Sequence, residues 1–213
     1  MLSFGQYRNQ LLKDVIIKDK QYIEWLNTQP WYKIKHKELF LESSQLVANY
    51  SKNIIVNKDQ FIIYTDGACS HNGSKNAKAG LGVHFSKNNK IKIEDISLNV
   101  IPLSERPTNN IAELMAIETA LLKCREHKIN IPIVIFTDSD YSIKCIKHWY
   151  PNWLKNNNLS GKKNIDILKR INNLLPLNLE FIHIRAQHDT KLEDEHSIGN
   201  KMADQLAVKG INK

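Results

Sequence analysis

A chain of 213 residues with 42% apolar content has the composition of an ordinary globular protein, long enough for one main core and a small extra module. Its apolar runs fall far short of the roughly 20 residues of a membrane helix, and its N-terminus lacks the order of a signal peptide. Three scattered cysteines, Cys69, Cys124 and Cys145, form no Cys-x-x-Cys pair and fit a reducing, cytoplasmic or nuclear setting, while a formal charge of +8 points to a polyanionic partner.

Residues 1–50 have a pattern of their own, with aromatics and basic side chains interleaved. Asp19 can cap a short helix that gathers Tyr22, Ile23, Trp25 and Leu26, Pro30 breaks it, and a second helix is expected from about Lys35 to Tyr50. Two readings stand side by side. Trp25, Trp31 and Tyr32 can form the core of a very small module, which is the plainer reading. Alternatively, with Arg8, Lys13, Lys18, Lys20, Lys33, Lys35 and Lys37 around them, they can grip a nucleic-acid strand. Residues 51–59 read as a linker, in which Ile54, Ile55 and Val56 can pack onto the next domain.

That domain, residues 60–213, opens on a buried strand, Phe61 to Thr65, that stops at Asp66 and Gly67. Gly80 to Phe85 is a second strand, and Lys90 to Leu98 alternates like its hairpin partner. Thr108-Asn109-Asn110 can cap a helix whose apolar face is Leu114, Ile117, Leu121 and Leu122, with Glu113 beside it. Ile133 to Thr137 repeats the first arrangement and ends in Asp138, which can also cap the helix from Tyr141 to His148. Near the end, Met202, Ala203, Leu206 and Ala207 form an apolar stripe with Asp204 at its edge.

Each carboxylate alone has a bland explanation as a turn residue, a cap or a solvated helical acid. Four of them in one α/β domain have a common one. Carboxylates a few ångströms apart repel by roughly 4 kcal/mol per pair at an effective dielectric near 20, and divalent cations relieve that repulsion. Hard oxygen ligands select Mg2+, with Mn2+ as a substitute, and two ions about 4 Å apart clamp an in-line phosphoryl displacement.

The blocks Thr65-Asp66-Gly67, Thr108-Asn109-Asn110 with Ala112-Glu113-Leu114, Thr137-Asp138-Ser139, and Gly199-Asn200 with Ala203-Asp204 resemble, in this order, type 1 ribonuclease H. The resemblance implies a five-stranded mixed sheet flanked by helices. It also implies an endonuclease that cuts the RNA strand of an RNA–DNA hybrid to leave 5′-phosphate and 3′-hydroxyl ends; a monomer without a small-molecule cofactor is expected. Asp66, Glu113, Asp138 and Asp204 would be the metal ligands. Asn72, Asn109 and Asn110 would contact the RNA strand, Arg106, Thr108 and Asn164 a DNA phosphate, and Trp149 and Trp153 the DNA channel.

The same resemblance calls for a proton-handling histidine in the loop after the strand Leu179 to Ile184. His188 is favoured by position over His196, and His183 is expected to be packed within the strand. Seven Lys or Arg between Lys144 and Arg170 read as a backbone-binding protrusion. The Phe4-Gly5-x-Tyr7 start resembles the C-terminal module of exodeoxyribonuclease X-like proteins and implies an accessory nucleic-acid contact. The rival readings are a DNA-directed nuclease of the same superfamily and a non-catalytic hybrid-binding protein. The Thr-Asn-Asn block with Arg106 argues against the first, and the intact carboxylates against the second.

Overall fold

A computed structural model of the chain describes residues 2–5, 7–18, 20–52, 60–102, 106–184 and 195–213. The chain divides into two compact units, Met1–Asn57 and Lys58–Lys213.

The first unit is helical: α1 (Leu12–Lys18), α2 (Lys20–Thr28), α3 (Pro30–Lys35) and α4 (Lys37–Lys52). Its core is Leu2, Leu12, Val15, Ile16, Ile23, Leu26 and Tyr32. Of the three aromatics expected inside, only Tyr32 is there. Trp25 and Trp31 are 50% and 38% exposed, because Leu2 and the apolar residues of α1, a helix the sequence reading missed, fill the interior instead. Pro30 begins α3 rather than simply ending α2, as its fixed φ suits a first helical turn. Asp19 and the Ile54-Ile55-Val56 run lie outside the described residues.

The second unit is built on a five-stranded mixed sheet of order β3-β2-β1-β4-β5. The strands are β1 (Phe61–Ser70), β2 (Lys78–Phe85), β3 (Ile96–Val100), β4 (Ile133–Thr137) and β5 (Leu179–His183). β1 and β4 read as unbroken apolar runs because both sheet faces are covered. The hairpin partner of β2 starts only at Ile96, which pairs with Val83. Asp95 is instead drawn aside to hold His84, its Oδ2 2.8 Å from Nδ1.

Two helices sandwich β1 and β2. α5 (Asn109–Glu126) buries Ile111, Leu114, Ile117 and Leu121 against one face, where Phe61, Ile63, Leu81 and Val83 meet them. Leu122, expected on that apolar face, is 48% exposed. It directly follows Leu121 and so turns about 100° away around the helix. α9 (Glu195–Gly210) lies on the other face, and glycines allow its close approach. A β-carbon on Gly80 would come 2.2 Å from the Ala207 carbonyl oxygen, and one on Gly82 would come 2.1 Å from that of Ala203.

Between β4 and β5 the chain forms α6 (Asp140–Lys144), one π-helical turn (Cys145–Trp149), α7 (Tyr150–Lys155) and α8 (Ile165–Asn172). Pro151 explains the π turn: it has no N–H to donate and its ring crowds the carbonyl four residues back. The Tyr150 N–H bonds the Cys145 carbonyl instead, five residues away.

Candidate metal centre

Strand register brings the first two carboxylates together. Thr65 on β1 pairs in parallel with Thr137 on β4. Asp66 and Asp138 each come one residue after that pair, at adjacent strand positions set roughly 4.8 Å apart by sheet spacing. Asp138 does not cap α6; Ser139 does, its hydroxyl accepting from the Ser142 N–H. The Asp138 carboxylate is thereby left to the cleft it lines.

Glu113 arrives from α5. Thr108 caps that helix by accepting from the Ile111 N–H at 3.2 Å, which fixes where its first turn begins. Glu113 is 4% exposed, and Asp66 7%. Asp66, Glu113 and Asp138 each offer a carboxylate oxygen, and these three atoms lie within 4.8 Å of one another. Asp204 comes from α9, is exposed, and stands outside that tight triad while lining the same open cleft of about 540 Å³. Its position is set by Gly82, the partner of Asp66 across β1 and β2, against which Ala203 is seated.

The electrostatics are those of a charge cluster in want of a counter-ion. Burial, then Asp138 and Asp204, push Asp66 up to about 7. Burial, then Asp66 and Asp138, raise Glu113 well above the usual range. Asp138 is raised less sharply: burial lifts it, while the charge of His183 and a hydrogen bond from Asn200 oppose the rise. The Oε2 atom of Glu113 is buried with no hydrogen-bond partner among the described residues. An orphaned acceptor among three converging hard oxygen donors fits a divalent cation.

Of the expected contact residues only Asn109 lines this cleft, and the others fall in two sets. The Asn109 N–H reaches the Asn72 Oδ1 at 3.4 Å. Asn110 and Arg106 are exposed near the start of α5. The other set is tied together by Tyr141, which also lines the cleft. Its hydroxyl accepts from the Asn164 amide at 2.9 Å, and its ring stands edge-on to Trp149 at 5.8 Å. Trp149 stacks on Trp153 at 6.3 Å, and Lys162 lies over the Trp153 ring at 5.4 Å. Asn164 adopts the left-handed conformation, φ 60°, that an asparagine tolerates.

Some sequence expectations need correction. Arg170 is not a backbone-binding residue of the protrusion: its guanidinium grips Glu118 at 2.5 and 2.9 Å, joining α8 to α5. Lys144 pairs with Asp140 on its own helix. His196 is a packed residue in the first turn of α9, 3.0 Å from the Tyr64 hydroxyl and stacked on Phe136 at 4.3 Å. His183 is bound as anticipated, its Nε2 lying 3.0 Å from the Asp138 carbonyl oxygen. His188 lies outside the described residues. The sequence reading also passed over Asn200 and Tyr141. Asn200 carried a signal, since it sits one helical turn before Asp204 and shares its side of α9.

The sequence profile described as RNase H matches residues 58–212, and that of the exodeoxyribonuclease X-like C-terminal module matches residues 2–28. The chain belongs to the RNase H family. It is 34% identical to the ribonuclease H of Schizosaccharomyces pombe over 163 residues, covering 73% of this chain and 54% of that protein. It is 33% identical to the ribonuclease H of Orientia tsutsugamushi over 169 residues, covering 77% and 89%. The solution structure of the PFV RNase H domain superposes with a TM-score of 0.57 at 27% identity, covering 71% of this chain and 94% of that one. The chain spans about half the length of the S. pombe and mammalian relatives it matches.

Proposed function

We propose that the protein is a Mg2+-dependent endonuclease that hydrolyses the RNA strand of RNA–DNA hybrids. The observation that carries this reading is the triad of Asp66, Glu113 and Asp138, the first two buried and the third half-buried, with Asp204 lining the same cleft, in a family whose named members are ribonucleases H. These four carboxylates would hold the metal. Divalent ions bound there supply Lewis acidity to the attacking and leaving oxygens of an in-line displacement. Water adds to the phosphorus, the P–O3′ bond breaks, and the 3′ oxygen leaves as a hydroxyl, with the phosphate kept on the 5′ end.

The remaining residues position the duplex. Asn109, held by Asn72, presents an amide at the cleft, where one group can both donate to and accept from a ribose 2′-hydroxyl; Asn110 extends that row. The Trp149–Trp153 pair offers a stacking surface to the DNA strand, and Arg106, Thr108 and Asn164 receive one of its phosphates. His188 is assigned to proton transfer around the leaving group, since His196 and His183 are committed to packing and to the Asp138 carbonyl. The protein acts as a monomer, without a small-molecule cofactor. Three unpaired cysteines agree with a reducing, cytoplasmic or nuclear setting, and no helix among the described residues is long and apolar enough to cross a membrane.

Residues 1–50 form an accessory nucleic-acid module in this reading, followed by a linker at 51–59 and the catalytic domain at 60–213. Exposed Trp25 and Trp31, with Lys33, Lys35 and Lys37, supply aromatic faces and charge for a strand. Removing residues 1–57 should weaken hybrid binding and leave turnover at saturating substrate intact. The decisive test of substrate class is a matched panel of hybrid, duplex DNA and duplex RNA, each strand labelled in turn. The proposal requires cleavage confined to the RNA strand of the hybrid; preferential cutting of DNA would overturn it.

A further inference from the structure

The Phe4-Gly5-x-Tyr7 motif lies outside the unit that carries the metal centre. Its backbone closes into a loop: the Leu2 N–H donates to the Gln10 carbonyl at 2.9 Å and the Asn9 N–H to the Leu2 carbonyl at 2.7 Å. Phe4 and Tyr7 serve different tryptophans. Phe4 stands edge-on to Trp31 at 5.2 Å, while Tyr7 stands edge-on to Tyr22, whose ring lies 5.7 Å from Trp25. Gly5, at φ 73°, joins the two groups, and a β-carbon there would collide with the Tyr22 hydroxyl. Each tryptophan is thus propped by rings of the module itself and still remains exposed.

The surroundings of Trp31 suit a nucleotide. Its ring neighbours Phe4, Tyr32 and His36 meet it at 80°, 64° and 87°, so among the described residues no ring lies parallel to the indole. Ile34 and Lys35, three and four residues on, share its side of α3, and both are exposed. One face therefore offers a flat ring, an aliphatic shoulder and a cation. Lys33 and Lys37 are exposed as well, and no acid lies between Gln29 and Lys37. Lys33 and Lys35 point about 200° apart around the helix. Charge fanned out in this way fits a flexible polyanion that winds past it, whereas an acidic helix would need it in one stripe.

We propose that Trp25 and Trp31 are stacking sites for unpaired bases, so that the module prefers single-stranded nucleic acid, DNA or RNA, to the hybrid duplex itself. The reason is geometric. Within a duplex each base face is covered by its neighbours, and only the backbone and the groove edges are open to a protein. An unpaired base presents its π face to a ring, whatever its sequence. Lysines act on the phosphates of either form and give no such preference. The inference rests on the nucleic-acid reading of residues 1–50 and names the form of strand they take.

The test is equilibrium binding by the full-length protein in EDTA, so that nothing is cut. The probes are single-stranded oligo-dT, oligo-U and a long blunt RNA–DNA hybrid. Trp25→Leu and Trp31→Leu remove a ring and keep apolar bulk, whereas Trp31→Phe keeps a ring. All three replace exposed side chains, and circular dichroism checks that the fold is kept. Each leucine variant should bind the single strands about 5- to 150-fold more weakly, the range for stacking on one aromatic side chain, with a smaller loss on the hybrid. Trp31→Phe should fall between wild type and Trp31→Leu. A loss confined to oligo-dT or to oligo-U supports the stacking sites and assigns them to DNA or RNA. Leucine variants that bind both single strands like wild type, or that lose as much on the blunt hybrid, would overturn the proposal. So would an acidic, leucine-containing peptide that binds wild type and not Trp31→Leu while the oligonucleotides bind both equally. Replacing Lys33, Lys35 and Lys37 together by alanine should weaken every probe alike. If that variant and the leucine variants all bind every probe like wild type, the nucleic-acid reading of the module fails rather than its strand preference alone.

Discussion

A β-carbon built on Gly67 would lie 2.2 Å from the backbone nitrogen of Glu113 and 2.8 Å from the Ala112 side chain. The first turns of α5 rest directly on β1 at this point, one residue past Asp66, so the distance between two of the clustered carboxylates is set by the absence of a side chain. Gly67→Ala should push α5 outward. Overpacking of this kind costs about 1–3 kcal/mol, read as a lower urea midpoint, and Mg2+ binding should weaken with it. An unchanged midpoint and metal affinity would show that the helix is not so tightly seated.

Asp66 has a pKa of about 7 in the folded protein against an ordinary 3.8, chiefly from burial and then from Asp138 and Asp204. A carboxyl raised on folding favours the native state at low pH, where it is protonated in both states. That contribution is lost as pH rises from about 4 through 7, and each tenfold difference in proton affinity between the folded and unfolded chain corresponds to about 1.4 kcal/mol. In EDTA, melting temperature should therefore fall across this window. Asp66→Asn should flatten the fall, raise the metal-free melting temperature at pH 8, and abolish cleavage. A mutant melting at or below wild type in EDTA at pH 8 would contradict a crowded, uncompensated cluster.

Exposed Trp149 stacks on Trp153, which is itself partly packed on the core, across the π turn that Pro151 imposes before α7. Replacing both by alanine should raise KM for the hybrid with kcat retained. Stacking on an aromatic side chain contributes about 1–3 kcal/mol per base, so a rise of one to two orders of magnitude in KM is the scale to look for. Loss of kcat with an unaltered KM would place these rings outside the substrate groove.

Arg170 and Lys163 separate structural from substrate-facing charge in the basic segment. Arg170→Ala leaves the Glu118 carboxylate, 10% exposed, without its partner. The loss should be about 1–3 kcal/mol in unfolding free energy, with little change in the salt dependence of hybrid binding. Lys163→Ala should do the reverse, leaving stability alone and lowering the salt slope. Hybrid affinity that depends on Arg170 more than on Lys163 would reverse this assignment.

Much of the second unit was legible because its signals are local. Two apolar β-branched runs ending in Thr-Asp, and a Thr-Asn-Asn cap before an apolar helix, specify strands, a helix start and the strand-end position of two acids. What failed were properties decided by distant neighbours. Asp95 leaves the expected strand because His84 claims it, Arg170 is taken up by the buried Glu118, and Trp25 and Trp31 are outside because α1 fills the small core. Asn200 was missed for a related reason. An asparagine on a helix has no distinctive pattern until the seating of that helix on Gly80 and Gly82 shows which way it faces.

If Asp66, Glu113 and Asp138 hold divalent ions against a scissile RNA phosphate, anomalous diffraction from crystals grown with Mn2+ and a non-cleavable hybrid will show it. Mn2+ peaks should be bounded by these three carboxylates, with an RNA phosphate oxygen in their coordination. Peaks located elsewhere, or none at that triad with the hybrid bound, would overturn the metal-site assignment.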